Sequence, residues 1–594
     1  MPKSSYLRSP KPLAMVRLAA QTSALLVAVA LFALPAFGRD PASLGDLQIP
    51  VSRVPDWGHL DHLPLDTSAW TEISVPCNGG DPSQLRSLIR TVSDFSILVL
   101  PANCHYNVGD TLPIQRSNIV VRGTSRETTV LEFSRLTVNM LHVGVGGWPI
   151  ANPFGVPRAW TAAHNTGDRV LTVEHTGGLS VGGFVRMTSN PEPDWDESAG
   201  NRYAAKLVCV GTTGGAECAG LSANQIRVDR GLPMPFARGN QVVEYIANPV
   251  VRNVGVENLR VQHTNPSAIE QYRPFVFMQY CHECWITDSS FGDGGNSHIV
   301  TDGVVRSVFR GNDFGSNQCT SNGSTCNWNK GAIYFNHGDS DVVFENNSLS
   351  ESPSGPLAQG GASTVIAYNY MRSGPEVECE RHVFLHGQGV SATLTEGNDV
   401  DCMIQWDSYR EGQGYNNTFY RNRLRGTGNR VSGYQRGRLG GEDTSTHIHR
   451  FISIIANHVN ELMGSPQMTG RAIDESFDAS HRHQDTWVSY NTARREILFE
   501  DSGVQVRTTQ HENFERSSPA TSWQGFNFPE SLYRTEAPPW WCEESGPFPN
   551  IGSPSDAVGG YSRLPAQIRL EGGTCTTSNG TTTTLIRPVP PVVH

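Results

Sequence analysis

Short runs of β-branched and aromatic residues recur along this chain with an asparagine at or near their end. They are Val256-Glu257-Asn258-Leu259, Val308-Phe309-Arg310-Gly311-Asn312, Val343-Phe344-Glu345-Asn346-Asn347, Val365-Ile366-Ala367-Tyr368-Asn369, Leu394-Thr395-Glu396-Gly397-Asn398, Phe419-Tyr420-Arg421-Asn422 and Ile454-Ile455-Ala456-Asn457. From Asn312 onward the intervals are 35, 22, 29, 24 and 35 residues. Trp285-Ile286-Thr287-Asp288-Ser289-Ser290-Phe291 fits the same template with Ser289 in the asparagine place. Such a repeat predicts a solenoid, in which each coil of short strands buries its apolar face only when the next coil stacks on it. Asparagine suits the corner, because it tolerates left-handed geometry and its amide can pair with the amide of the neighbouring coil. The variable interval places loops of variable length at one or two corners, where a solenoid builds its site. A β-sandwich with incidental asparagine turns is the alternative, and seven matches count against it.

The rhythm breaks twice. Residues 155–250 carry Val170-Leu171-Thr172-Val173, Val185-Arg186-Met187 and Ile226-Arg227-Val228 between Gly-rich turns, which predicts a β insertion. Residues 471–594 lack the asparagine rhythm, and Pro538-Pro539-Trp540-Trp541 suggests an aromatic tail packed back along the coils. The last stretch, Thr576 to His594, is rich in Thr and Pro and is expected to be mobile. The expected organisation is a leader over 39–79, coils over 80–470 with the insertion, and the tail.

Ile97-Leu98-Val99-Leu100-Pro101-Ala102, Tyr106 and Ile119-Val120-Val121-Arg122-Gly123-Thr124 resemble the opening of right-handed parallel β-helix proteins of the pectate-lyase-like superfamily. Val254 to Leu259, Cys284 to Phe291, Leu394 to Asn398 and Asn417 to Arg423 continue the resemblance, which spans roughly residues 80 to 470. It implies an all-β, single-stranded right-handed parallel β-helix that acts on or binds polysaccharide. The Trp-Ile-Asp-His stretch of pectate lyases is replaced by Trp285-Ile286-Thr287-Asp288, and no Arg-x-Pro-x-x-Arg segment follows the leader. The calcium-pectate mechanism therefore does not transfer, and the clustered aspartates of polygalacturonases are absent too.

Composition narrows the compartment. Apolar residues make up 38% and charged residues 17%, with 59 Gly and 37 Pro, which excludes a disordered chain and fits a turn-dense β protein. Lys3, Arg8, Lys11 and Arg17 precede an apolar stretch from Leu18 to Leu34, and Ala36-Phe37-Gly38 supplies small residues at a cleavage site. Residues 1–38 thus read as a signal peptide, and the expected location is secreted or periplasmic. An uncleaved membrane anchor is the alternative reading; no later run is long and apolar enough to span a bilayer. Removing those residues takes the formal charge from −11 to −15, which argues against a general grip on nucleic acid. Twelve cysteines follow the signal peptide, and proximity suggests pairing Cys209 with Cys218, Cys319 with Cys326 and Cys379 with Cys402. Cys281-His282-Glu283-Cys284 has metal-like spacing but no second pair, so a structural role is expected. A monomer is expected.

A solenoid's groove is lined by equivalent positions on successive coils, so candidates are found by counting back from the asparagines. Ten residues before Asn312, Asn347 and Asn369 stand Asp302, His337 and Gln359, each followed by Gly; His386 and Asp407 precede Asn398 and Asn422 by twelve and fifteen. Twelve residues before the first three stand Val300, Phe335 and Leu357, which look like core, and strict alternation would turn the column inward too. The following Gly could break that parity and leave the column facing solvent. A second cluster is Glu378-Cys379-Glu380-Arg381-His382, in which Arg381 could neutralise a uronate carboxylate and His382 move a proton. Glu376, Glu378 and Glu380 could instead hold calcium, although no ligand loop of known spacing supports it.

From Met403 to Arg450 eight Arg, including Arg410 and Arg421, face four acids. This basic stretch suits an acidic sugar chain, but Arg also replaces Lys throughout, since only Lys206 and Lys330 follow the leader. Trp328, Lys330 and Tyr334 lie beside the column in sequence and are further substrate-binding candidates. The first expectation is an exported lyase that cleaves an acidic polysaccharide by β-elimination, with Arg381 as neutraliser and His337, His382 or His386 as base and acid. Hydrolysis would use two carboxylates, Asp302 and Asp407. A non-catalytic polysaccharide-binding or surface protein is the third reading.

Overall fold

The computed structural model describes most of residues 55–584; residues 1–54, the longer connections (among them 145–154, 189–201, 265–273, 317–330, 374–380, 408–415, 426–438, 443–452, 460–472, 476–486, 500–508, 516–530 and 549–562) and 585–594 lie outside the described residues. Three long sheets, all parallel, stack along one axis. Sheet A has 13 strands, from Thr71–Ser74 to Thr509–His511; sheet B has 12, from Cys104–Gly109 to Phe514–Glu515; sheet C has 11, from Leu112–Ile114 to Leu498–Phe499. The chain visits A, B and C in turn on each coil, giving a right-handed parallel β-helix, the hand that parallel crossovers take. The coils continue to Glu515, past the expected end at 470. The run Trp487-Val488-Ser489-Tyr490-Asn491 carries the repeat signal there.

The asparagine ladder is the axial seam. Asn312 Nδ2 donates to Asn347 Oδ1 at 3.1 Å, and the chain continues through Asn369, Asn398, Asn422 and Asn457 at 2.9–3.0 Å. Each Nδ2 also donates to a backbone carbonyl of the coil before, as Asn347 does to Phe309 at 3.0 Å, so these buried amides are satisfied. Ser289 opens the ladder by donating its N–H to Asn312 Oδ1 at 3.0 Å. Two expectations shift by one residue. The left-handed corner is taken by the residue before the ladder, for example Asn346 (φ 52°) and Arg421 (φ 53°), and Asn258 (φ 51°) is such a corner residue and not a rung.

The inner faces of the three sheets form one core, capped at its N-terminal end by the helix Ser83–Thr91, which buries Leu85 and Ile89. The insertion is a separate antiparallel sheet with its own core around Trp160, Val185, Met187 and Phe236. Its two edge strands, Arg158–Ala159 and Val170–Thr172, meet through the Trp160–Val173 bridge, which closes the sheet into a small barrel. The barrel docks on the corner between sheets C and A, where Ala204 donates its N–H to Ser340 Oγ at 2.9 Å and Arg230 pairs with Asp341 at 2.5 Å. The C-terminal segment packs Leu532, Tyr533, Trp541, Phe548 and Leu564 over the outer face of sheet A.

Disulfides join Cys77 to Cys104, Cys209 to Cys218, Cys281 to Cys284 and Cys542 to Cys575. Cys319, Cys326 and Cys379 lie outside the described residues. No helix among the described residues is long and apolar enough to cross a membrane.

Candidate functional site

Sheet C stacks the strands Val276–Gln279, Ile299–Asp302, Ile333–Phe335, Leu357–Gln359, Arg381–His386, Met403–Asp407 and Leu439–Glu442 in that order. Met278, Ile299, Phe335, Ala358, Leu385 and Trp406 point into the core, so alternation turns the residues between them outward. Pairing aligns Gln279 with Asp302, Gln359 with His386, and Asp407 with Glu442. Asn336 follows Phe335, which pairs with Thr301 and Ala358, and so stands between Asp302 and Gln359. Leu385 pairs with Trp406, which sets His386 beside Asp407. The outcome is a column of seven polar register positions: Gln279, Asp302, Asn336, Gln359, His386, Asp407 and Glu442. Two residues earlier on the same face, Phe277, Val300, Tyr334, Leu357 and Phe384 form a parallel apolar row.

This resolves the parity question. Val300 and Leu357 are outward residues, and of the three presumed core residues only Phe335 points inward. The coil ending at Asn347 has one extra residue, so a fixed offset slipped there: Asn336 takes the register position, and His337 lies outside the described residues. The bend comes after the column and leaves alternation intact, at Gly303 (φ 64°) and Gly360 (φ 69°).

Asp302, Tyr334, Asn336, Gln359 and His386 are half-buried, the accessible middle of the groove. Gln279 Nε2 donates to Asp302 Oδ2 at 2.9 Å, and the Tyr334 hydroxyl donates to Gln359 Oε1. His386 lies against the Phe384 ring, with centroids 4.6 Å apart. Beneath Asp302, the inward Thr301 hydroxyl bonds the carboxyl of Asp339, whose other oxygen accepts the Val304 N–H at 2.7 Å. Burial pushes the Asp339 pKa well above the usual carboxylate range, overcoming those hydrogen bonds, and nearby Asp302 adds to the rise. Asp339 is therefore a supporting group inside the wall and not a groove carboxylate.

Other candidates do not converge on the groove. His382 is fully buried at a bulge in its strand, where its Nδ1 accepts the N–H groups of Asp401 and Cys402 at 3.2 and 3.3 Å. Burial lowers its pKa to about 3, so it is a neutral structural imidazole and leaves the acid–base pair. Asp302 and Asp407 are four strands apart on sheet C, which at about 4.8 Å per strand is roughly 19 Å, beyond the ~6.5–9.5 Å of an inverting pair. Arg421 sits at the corner between sheets A and B, 5.8 Å from the Tyr420 ring, and Arg423 and Arg425 pair with Asp399 on sheet B. The described part of the basic stretch is thus spent away from sheet C. Arg381 opens the strand that ends in His386. Trp328, Lys330, Arg410 and the calcium candidates Glu376, Glu378 and Glu380 lie outside the described residues. Among the described residues the one potential metal-ligand group is Cys209, Glu217 and Cys218, whose sulfurs are already joined.

Asn336 was missed by counting from the ladder because its coil has an interval of eleven residues between column and ladder instead of ten; Gln279 and Glu442 keep the intervals of ten and fifteen, and were missed because the count was not extended to Ser289 and Asn457. The available signal was the ends of the strand-like runs themselves, such as Val276-Phe277-Met278-Gln279.

No protein-family model and no curated protein sequence matches the chain. In fold it is similar to solved structures at low identity. The tailspike protein gp49 of Pseudomonas phage LKA1 is 10% identical over 73% of this chain and 69% of that one, with a TM-score of 0.48. The surface adhesin PfbA of Streptococcus pneumoniae is 10% identical over 75% and 89%, with a TM-score of 0.43. The catalytic unit of an alpha-1,3-glucanase from Streptomyces thermodiastaticus is 9% identical over 77% and 67%, with a TM-score of 0.32. These likenesses concern the fold alone.

Proposed function

We propose that the protein is an exported polysaccharide-active enzyme that lays a glycan along the outer face of sheet C and cleaves it by hydrolysis. One observation carries the reading: the column of seven polar positions beside an apolar row. Side chains that hydrogen-bond hydroxyls, set beside a surface for the apolar faces of sugar rings, make a site for a carbohydrate chain. Hydrolysis needs two carboxyl groups at one bond, and Asp407 and Glu442 occupy neighbouring register positions, one strand step from His386. The signal-peptide reading of residues 1–38 and the disulfides support an extracellular place of action.

A second reading, β-elimination on a uronate chain, is supported by Arg381 and His386 sharing one strand. The test is incubation of the protein with neutral, amino-bearing, sulfated and uronate-containing glycans, following reducing ends and the ultraviolet absorbance of unsaturated products. New reducing ends without absorbance, lost in Asp407→Asn and Glu442→Gln, are the expected result. Unsaturated product lost in His386→Ala assigns elimination instead. Retention of a glycan without either product makes the protein a binder.

A further inference from the structure

Around Asp302 the groove is rich in hydrogen-bond acceptors. The carboxamide of Gln279 is oriented by its bond to Asp302, since only its Nε2 can donate to the carboxylate. This leaves Gln279 Oε1 without a donor although the side chain is 0% exposed, and on the other side of Asp302 the Asn336 Oδ1 has no donor either. Asp302 itself is placed between them by the register. The nearby Tyr334 hydroxyl is already committed to Gln359. Two amide oxygens and a carboxylate thus line one stretch of the column.

Buried acceptors without donors call for a ligand that supplies them. A sugar hydroxyl both donates and accepts, whereas an ammonium offers three donors and no acceptor. A hard divalent cation takes six to eight oxygens, usually with several carboxylates, and this stretch offers one carboxylate. We propose that the groove takes a glycan bearing free amino groups, with one ammonium seated at Asp302 between Gln279 and Asn336. The inference rests on the polysaccharide reading of this groove and names the class of sugar.

The probe is an oligomer of β-1,4-linked glucosamine beside its fully N-acetylated counterpart, which has the same backbone without the charge. Titration calorimetry on the whole protein at low salt is expected to give roughly tenfold or greater preference for the free amine, the worth of a charge-assisted hydrogen bond. High salt and Asp302→Asn should each erode the preference, and Asn336→Asp, which adds a carboxylate, should increase it. Thermal melts of both variants establish that they are folded. Equal affinity for the two oligomers, a preference untouched in folded Asp302→Asn, or binding that needs added calcium and disappears with chelator overturns the inference while leaving a polysaccharide site. If no glycan of any class is bound or cleaved, the functional reading falls with it.

Discussion

On the outer face of sheet A, Glu345 lies sealed beneath the C-terminal segment, while on the outer face of sheet C, Asp302 stands half-buried in an accessible row. Both faces are built alike, from outward residues stacked in register; on sheet A the column runs through Glu257, Thr287, Arg310, Glu345, Ala367, Glu396 and Tyr420. There the charges are answered within the chain. Arg310, Arg534 and the Tyr533 hydroxyl converge on Glu345, and Glu396 accepts the Tyr368 hydroxyl and the Leu532 N–H. Burial alone would raise the Glu345 pKa, but Arg310, Arg534 and Tyr533 hold it at about 2. The N-terminal leader adds to the roof, with Trp57 Nε1 donating to the Ala392 carbonyl at 2.7 Å. On sheet C acceptors are left over at Gln279 and Asn336. The same stacked column is an adhesive seam on sheet A, where the C-terminal segment covers it, and on sheet C, where its middle stays half-buried, it is the recognition surface proposed above.

Substitutions should separate the two faces. Glu345→Ala leaves two arginines facing an emptied buried site and is expected to cost about 3–5 kcal/mol of stability, whereas Asp302→Asn, which keeps an oxygen to accept from Gln279, should cost less, about 1 kcal/mol. Denaturant unfolding of the two variants checks this, and similar losses would erase the distinction. Asp407→Asn and Glu442→Gln should each lower the rate of glycan cleavage by about 10² or more, the usual contribution of a general acid or base; His382→Ala should instead lower the unfolding midpoint, because its imidazole bonds backbone groups in the interior.

The pH response should differ in sign between a paired and an unpaired buried carboxyl. Glu345 has a folded pKa of about 2, against about 4.3 in an unfolded chain. Its contribution is complete above the unfolded value and lost as pH falls toward the folded one. Stability of Glu345→Gln should therefore fall less steeply than that of the native chain between about pH 4.3 and 2. Asp339 is shifted upward by burial, so its ionisation weakens the fold as pH rises above about 3.9, the unfolded value. Asp339→Asn, which keeps the shape without the charge, should become progressively more stable than the native chain above that pH. Thermal melts across pH test both, and parallel curves for the native chain and Asp339→Asn would mean that Asp339 is ionised in place.

Much of the scaffold could be read from residue order. Asn312, Asn347, Asn369, Asn398, Asn422 and Asn457 announced the coils because a buried amide is tolerated at that corner only when identical amides stack on it. The insertion announced itself by interrupting that rhythm. The groove was only partly legible. Asp302, Gln359, His386 and Asp407 came from counting, but His337 and Asn336 exchanged places because a single extra residue at a bend moves the register without leaving a mark in composition. His382 looked chemical from its neighbours, yet a bulge turned it inward.

By itself the sequence determined that this chain stacks coils, since each run of alternating residues has an apolar face that only another coil can bury. Which outer face is covered was decided by the tertiary structure, because Leu532, Tyr533 and Arg534 meet Glu396 and Glu345 across a separation of 136 to 189 residues. The roles of the outward carboxylates follow from that contact: Glu345 is sealed among its partners on sheet A, and Asp302 faces the groove on sheet C.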